Sequence, residues 1–172
     1  MINTIKDFDN KILEKVSNIR QDWLDKIMVI LTMSGNNGMI WFAISIPFLM
    51  NKDYKLCGIK IIVSLLLSGF LGEIIIKHLV ARIRPSKEIH QDDLLIKKPR
   101  SYSFPSGHTS SSVSASSILF FSYGLVVFPA FILAFSIAFS RIYLKVHYLS
   151  DVLAGALLGL TCSFVVQFLI FN

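Results

Sequence analysis

Residues 59–80 read IKIIVSLLLSGFLGEIIIKHLV, an unbroken apolar run that carries only Lys60, Glu73 and Lys77 as charged residues. A helix needs about 20 predominantly apolar residues to cross the hydrocarbon core of a bilayer, so this stretch predicts a membrane helix. It is not alone. Ile27–Met50, Thr109–Tyr123, Gly124–Ser140 and Val152–Phe171 are also apolar. The two middle stretches are shorter and need flanking residues to span. The chain of 172 residues is 53% hydrophobic and only 16% charged, with mean hydropathy +0.62. A soluble bundle with buried helices is the competing reading, and clustered apolar runs on this scale disfavour it. The expected architecture is therefore all-α: one domain, 1–172, forming a polytopic membrane bundle of about five to six helices.

The first 22 residues are too polar for a secretory signal. Ile2, Ile5, Phe8, Ile12, Val16, Ile19 and Trp23 recur three or four apart, with Lys6, Lys11, Lys15 and Arg20 between them. That stripe predicts an amphipathic helix over 1–22, lying at the membrane interface or packed on a partner or on its own bundle. Ser34-Gly35-Asn36-Asn37-Gly38 interrupts the first apolar run with turn-forming residues, which leaves open one broken span or a re-entrant hairpin. Cys57 and Cys162 are isolated in or beside apolar segments, giving neither a metal pattern nor a disulfide framework. A net charge of +6 suits an anionic membrane surface or substrate, and nothing indicates nucleic acid.

The alternation of spans has a further consequence. The helix of Lys77 ends at one face, and the polar segment Ala81–Phe104 returns the chain to Pro105 on the same face. One helix crosses away, turns near Gly124, and the next comes back to Arg141. Three charged blocks thus meet at one end of the bundle. Arg84 and Arg141 offer planar forks and Lys77 a point charge for phosphate oxygens. Ser106-Gly107-His108 open a helix whose first N–H groups favour an anion, with Gly107 permitting close approach. Asp151 follows His147 by one helical turn, so a carboxylate can fix the tautomer of an imidazole nucleophile. His108 is then free to protonate the leaving alkoxide and later to activate water. Lys77 lies inside an apolar run, where a charge is costly unless it has a role; Glu73, one turn earlier, is its expected partner.

These blocks resemble the signatures of the type 2 phosphatidic acid phosphatase superfamily, the lipid phosphate phosphatases related to vanadium haloperoxidases. The three signatures are Lys-x6-Arg-Pro, Pro-Ser-Gly-His and Ser-Arg-x5-His-x3-Asp. Here they read Lys77 to Arg84-Pro85, then Pro105-Ser106-Gly107-His108, then Ser140-Arg141 with His147 and Asp151, across 77–151 and without a departure in residue or spacing.

The resemblance implies that Lys77, Arg84, Ser106, Gly107 and Arg141 bind phosphate. It implies that His147 becomes phosphohistidine, that His108 is the general acid and that Asp151 orients His147. It implies no cofactor and no metal. The expected substrate is a lipid phosphate or pyrophosphate in the bilayer: undecaprenyl pyrophosphate, phosphatidylglycerol phosphate or phosphatidic acid. The compact layout resembles the small bacterial members that recycle the polyprenyl carrier, and the resemblance places the site on the outer face of a bacterial cell membrane. Arg82 and Lys145, beside the signatures, are expected to tune recognition of substrate charge. The alternatives are phosphoryl transfer to an acceptor other than water, and a non-catalytic lipid-phosphate binder or transporter, which would have no need of His108 or the His147–Asp151 pair. Oligomeric state is left open.

Overall fold

In the computed structural model the described residues are 2–171, a set of helices joined by turns and one long loop, without a strand among them. Met1 and Asn172 lie outside them, as does the side chain of Ile2 from the expected stripe. The helices are α1 (Ile2–Ser17), α2 (Asp22–Ser34), α3 (Met39–Met50), α4 (Lys55–Gly69), α5 (Lys77–Val80), α6 (Gly107–Tyr123), α7 (Phe128–Tyr143) and α8 (Leu149–Val165). A π-helical segment, Phe70–Ile76, joins α4 to α5, and a second, Val166–Ile170, extends α8. Long apolar helical segments run over Lys55–Val80, Gly107–Tyr143 and Leu149–Ile170. The second of these is not one rod. Gly124 sits at φ 67°, and Phe120 packs edge-on against Phe131 at 5.8 Å, so α6 and α7 fold back as an antiparallel pair.

The first apolar run is a broken span rather than a hairpin. α2 and α3 meet at a 53° bend, made where Asn37 (φ 50°) and Gly38 (φ 70°) adopt left-handed backbone. The ends decide the direction. Asp25 in the first turn of α2 accepts from Tyr143 Oη at the end of α7 (2.5 Å). At the far end of α3, Phe48 packs on Tyr123. The chain therefore passes through the bundle along α2–α3, α4–α5, α6, α7 and α8, and its N-terminus shares a face with the end of α5 and the start of α6.

Small hydroxyl residues lie inside the bundle while large apolar side chains face outward, as a lipid-facing surface requires. Ser64, Ser68, Ser112, Ser114 and Ser116 are buried, while Ile30, Leu66, Phe135, Leu157 and Leu169 are exposed. The hydroxyls of Ser64, Ser68 and Ser116 return to their own helices, as Ser116 does to the Ser112 carbonyl (2.8 Å). Trp41, Ile61, Leu65, Ile118 and Ile137 form the main apolar core, and Trp41 Nε1 donates to Ser112 Oγ (2.9 Å). Helices α6 and α8 pack through small residues: a Cβ at Gly155 or Gly159 would run into the backbone of Ser106 or of Ser110 and Ser114. α1 ends at Ser17, shorter than the expected 1–22. It docks on the bundle through Ile12, Leu13 and Val16, while Ile5 and Phe8 stay exposed.

Candidate active site

Arg84 leaves the end of α5 by a short extended stretch and is buried with Pro85. Its Nε donates to the Ser101 carbonyl (2.8 Å), Nη2 to Ser101 Oγ (3.0 Å) and Nη1 to the Val146 carbonyl (2.9 Å). The same Nη1 stands 2.8 Å from His147 Nε2. A guanidinium cannot accept, so Nε2 accepts and the His147 proton belongs on Nδ1. That proton faces Asp151, whose Oδ2 is 3.5 Å from Nδ1. The expected hydrogen bond is thus an approach of complementary charge rather than a closed bond, and Nδ1 has no hydrogen-bond partner among the described residues. The reason is that Oδ2 already accepts from Ser103 Oγ (2.5 Å) and the Tyr148 N–H (2.9 Å). Burial, and then the cations Arg84, Arg141 and Lys77, push the His147 pKa well below its ordinary 6.5. The imidazole is held neutral, as a nucleophile requires.

Lys77 lies at the start of α5, buried, and donates to Glu73 Oε1 (2.6 Å) and Ser101 Oγ (3.3 Å), as expected for Glu73. A Cβ at Gly107 would meet the Glu73 carboxylate and push it from its place beside Lys77. Arg141, buried near the end of α7, donates to Thr32 Oγ1, and its Nε has no partner among the described residues. His108 Nε2 lies 3.2 Å from the Thr32 carbonyl and 3.0 Å from Asn36 Oδ1. A carbonyl only accepts, so this nitrogen carries a proton. Gly35 lets the ring come so close, since a Cβ there would meet His108 Cδ2 at 3.0 Å.

Lys77, Arg84, Gly107, His108, Arg141 and His147 all line one cavity of about 1100 Å³. Its cationic end continues into walls made by Met33, Phe42, Leu65, Leu66 and Phe70. Two expected residues stand elsewhere. Asp151 lies behind His147. Ser106 is fully buried as the N-cap of α6, accepting from Thr109 Oγ1 (2.9 Å), and does not line the cavity. Its hydroxyl oxygen caps the start of α6. Arg82 and Lys145 also lie outside this cavity. Arg82 turns away from the cavity to Asp9, Ser150 and Asp151, and Lys145 borders a separate small pocket.

The PAP2 superfamily model matches residues 58–172. The chain belongs to the PAP2 superfamily. Over 143 residues it is 34% identical to an undecaprenyl-diphosphatase of Sulfolobus acidocaldarius, covering 83% of this chain and 68% of that protein. Two crystal structures share its fold. One is a transmembrane PAP2 type phosphatidylglycerolphosphate phosphatase from Bacillus subtilis, with TM-score 0.78 and 25% identity over 96% of this chain and 85% of that one. The other is Aquifex aeolicus LpxE, with TM-score 0.76 and 28% identity over 91% and 92%. This PAP2 chain is an integral membrane lipid phosphatase, a hydrolase of phosphate esters or diphosphates. Thr32 and Asn36 precede the matched region, and sequence reasoning saw in the Ser34–Gly38 break only a turn. Ser101 and Ser103 gave no signal within a polar loop.

Proposed function

We propose that the chain hydrolyses a polyprenyl diphosphate of the undecaprenyl type, without a metal, through a phosphohistidine on His147. The cavity carries this reading: three buried cations and two histidines at one end, apolar walls at the other, which suits an amphiphile with an anionic head. The identity to the Sulfolobus protein supports the diphosphate head. In the first step the terminal phosphoryl oxygens are held by Lys77, Arg84 and Arg141, which exchange their present protein partners for the ligand. His147 Nε2 attacks phosphorus, the P–O bond to the leaving polyprenyl phosphate breaks, and His108, entering as an imidazolium beside the anionic head, gives one proton to that oxygen and becomes neutral. Asp151 faces the Nδ1–H and stabilises the imidazolium. In the second step water attacks phosphorus while giving a proton to neutral His108, the P–N bond breaks, and inorganic phosphate leaves with neutral His147 and the His108 imidazolium restored.

The test is phosphate release by purified protein, in excess chelator, from undecaprenyl pyrophosphate, phosphatidylglycerol phosphate, phosphatidic acid and a soluble sugar phosphate. His147→Ala serves as control. The expected result is release that needs His147 and is fastest from the polyprenyl diphosphate. A strict divalent-metal requirement, or turnover that survives His147→Ala, would overturn the mechanism. Preference for phosphatidylglycerol phosphate, the substrate named for the Bacillus neighbour, would move the assignment to phospholipid synthesis.

The membrane side belongs to the same proposal. Apart from the three phosphate-binding cations, Arg82, Lys87, Lys97, Lys98, Arg100 and Lys145 lie on the site face, and only Lys52, Lys55 and Lys60 belong to the opposite one. A broken first span adds Lys6, Lys11, Lys15, Arg20 and Lys26 to the site face. Eleven against three favours a cytoplasmic site by the positive-inside rule. This reverses the outward placement implied by the resemblance.

A further inference from the structure

Asp9 is a carboxylate with no exposure at all, on a helix that is otherwise mostly solvent-facing. Apolar contacts of Ile12, Leu13 and Val16 already dock α1, so anchoring alone does not account for a buried charge, which is costly unless fully paired. Its pairing is complete. Asp9 Oδ2 accepts from Arg82 Nη2 (2.7 Å) and Ser150 Oγ (2.6 Å), and Oδ1 from the Ser150 N–H (3.0 Å). Arg82 is bifunctional: its Nη1 donates to Asp151 Oδ1 (2.7 Å) and Ser150 Oγ (2.6 Å), and its guanidinium lies 4.1 Å over the Tyr148 ring. Burial alone would lower the Arg82 pKa, but Asp9 and Asp151 outweigh it and hold it above its ordinary value. Asp151 in turn presents its second oxygen to His147.

We propose that Asp9 and Arg82 are positioning residues for the nucleophile, forming a chain Asp9–Arg82–Asp151–His147 through which α1 sets the carboxylate behind the imidazole. Asp9 lies outside the region matched by the superfamily, so this element is supplied by the N-terminal helix of this chain. The charge balance gives the mechanism. Arg82 is shared between two carboxylates, which leaves Asp151 with enough negative charge to stabilise the imidazolium. Removing Asp9 leaves Arg82 to Asp151 alone, and the support for His147 weakens while the cavity cations stay in place.

The proposal rests on His147 as nucleophile, and its test separates the two. Asp9→Asn and Arg82→Ala are assayed beside His147→Ala on the substrate that wild-type protein turns over, with thermal unfolding in the same detergent. The expected result is a fall in kcat of roughly tenfold or more for each, with KM within about twofold, because no phosphate contact is touched. Free guanidinium should restore part of the lost kcat to Arg82→Ala, and less to the variant that also carries Asp9→Asn. A merely structural role predicts a lower melting temperature with unchanged kcat and no guanidinium rescue, and that outcome overturns the proposal. Should Asp9→Asn fail to fold, absence of rescue in Arg82→Ala overturns it equally. Inactive His147→Ala beside unchanged Asp9→Asn sinks the positioning role alone; activity surviving His147→Ala sinks the nucleophile and this proposal with it.

Discussion

His147 combines three properties rarely found on one imidazole: full burial, a cation on one nitrogen and a carboxylate facing the other. Its pKa, pushed well below 6.5 by burial and by Arg84, Arg141 and Lys77, makes two predictions. The acid limb of kcat/KM assigned to the nucleophile should fall well below pH 6.5, and a limb at or above that value would contradict a neutral buried imidazole. For stability the sign is also determined. Between the depressed folded value and 6.5 the unfolded chain binds more protons, so stability falls as pH drops below about 6.5, by up to about 1.4 kcal/mol per unit. Denaturant unfolding of wild type and His147→Gln across pH 5–7 checks this, since the glutamine variant should lose that slope. Asp151→Asn is expected to lower kcat by about 10²–10⁴-fold, since a carboxylate that holds the tautomer of a reacting histidine is worth up to about 10⁴; unchanged kcat would remove Asp151 from the mechanism. The identities and spacing of these residues were legible in the sequence. That Arg84 sits on Nε2, that Ser103 and Tyr148 hold Asp151, and that Ser106 is consumed as a cap were not, because each depends on atoms brought together from segments far apart in the chain.

Among the helices, α6 and α8 carry the tightest contact, and small residues make it possible. The sequence held the signal in Gly155-x3-Gly159, a pattern that lets two membrane helices approach backbone to backbone. Gly159→Ala should therefore destabilise the protein by about 1–3 kcal/mol, as overpacking does. Gly69→Ala, where a Cβ meets nothing within 4 Å, should be neutral or stabilising by about 0.5–1 kcal/mol. Thermal unfolding in one detergent compares the two, and equal effects would refute the packing argument. The break between α2 and α3 belongs to the same scale. Its glycines and asparagines announced a turn, and the hydropathy pattern allowed either a kink or a hairpin. Contacts at the two ends, Asp25 with Tyr143 and Phe48 with Tyr123, make it a kink. The bend also delivers Thr32 and Asn36 to His108 and Arg141, so an interruption in a span becomes a wall of the site.

For the whole molecule the broken span has a topological effect, since it puts the N-terminus and its cations on the site face. Single cysteines introduced at Lys97 and Lys52 in cells with Cys57 and Cys162 replaced by serine test the result. A membrane-impermeant maleimide should label position 52 in intact cells, and position 97 only after permeabilisation. The reverse pattern would restore an outward-facing site. The sequence by itself determined that the chain is an all-helical membrane bundle and that three charged blocks converge at one end, because apolar run length and the alternation of crossings leave little freedom. It also named the family, since the three signatures stand in it without a departure in residue or spacing. Only the tertiary structure decided how the first apolar run crosses, that α1 turns inward with Asp9, and that Arg82 pairs with Asp9 and Asp151 rather than lining the cavity. Those outcomes depend on which side chains meet across more than 70 positions, and periodicity reports the face of a helix but not the partner waiting against it.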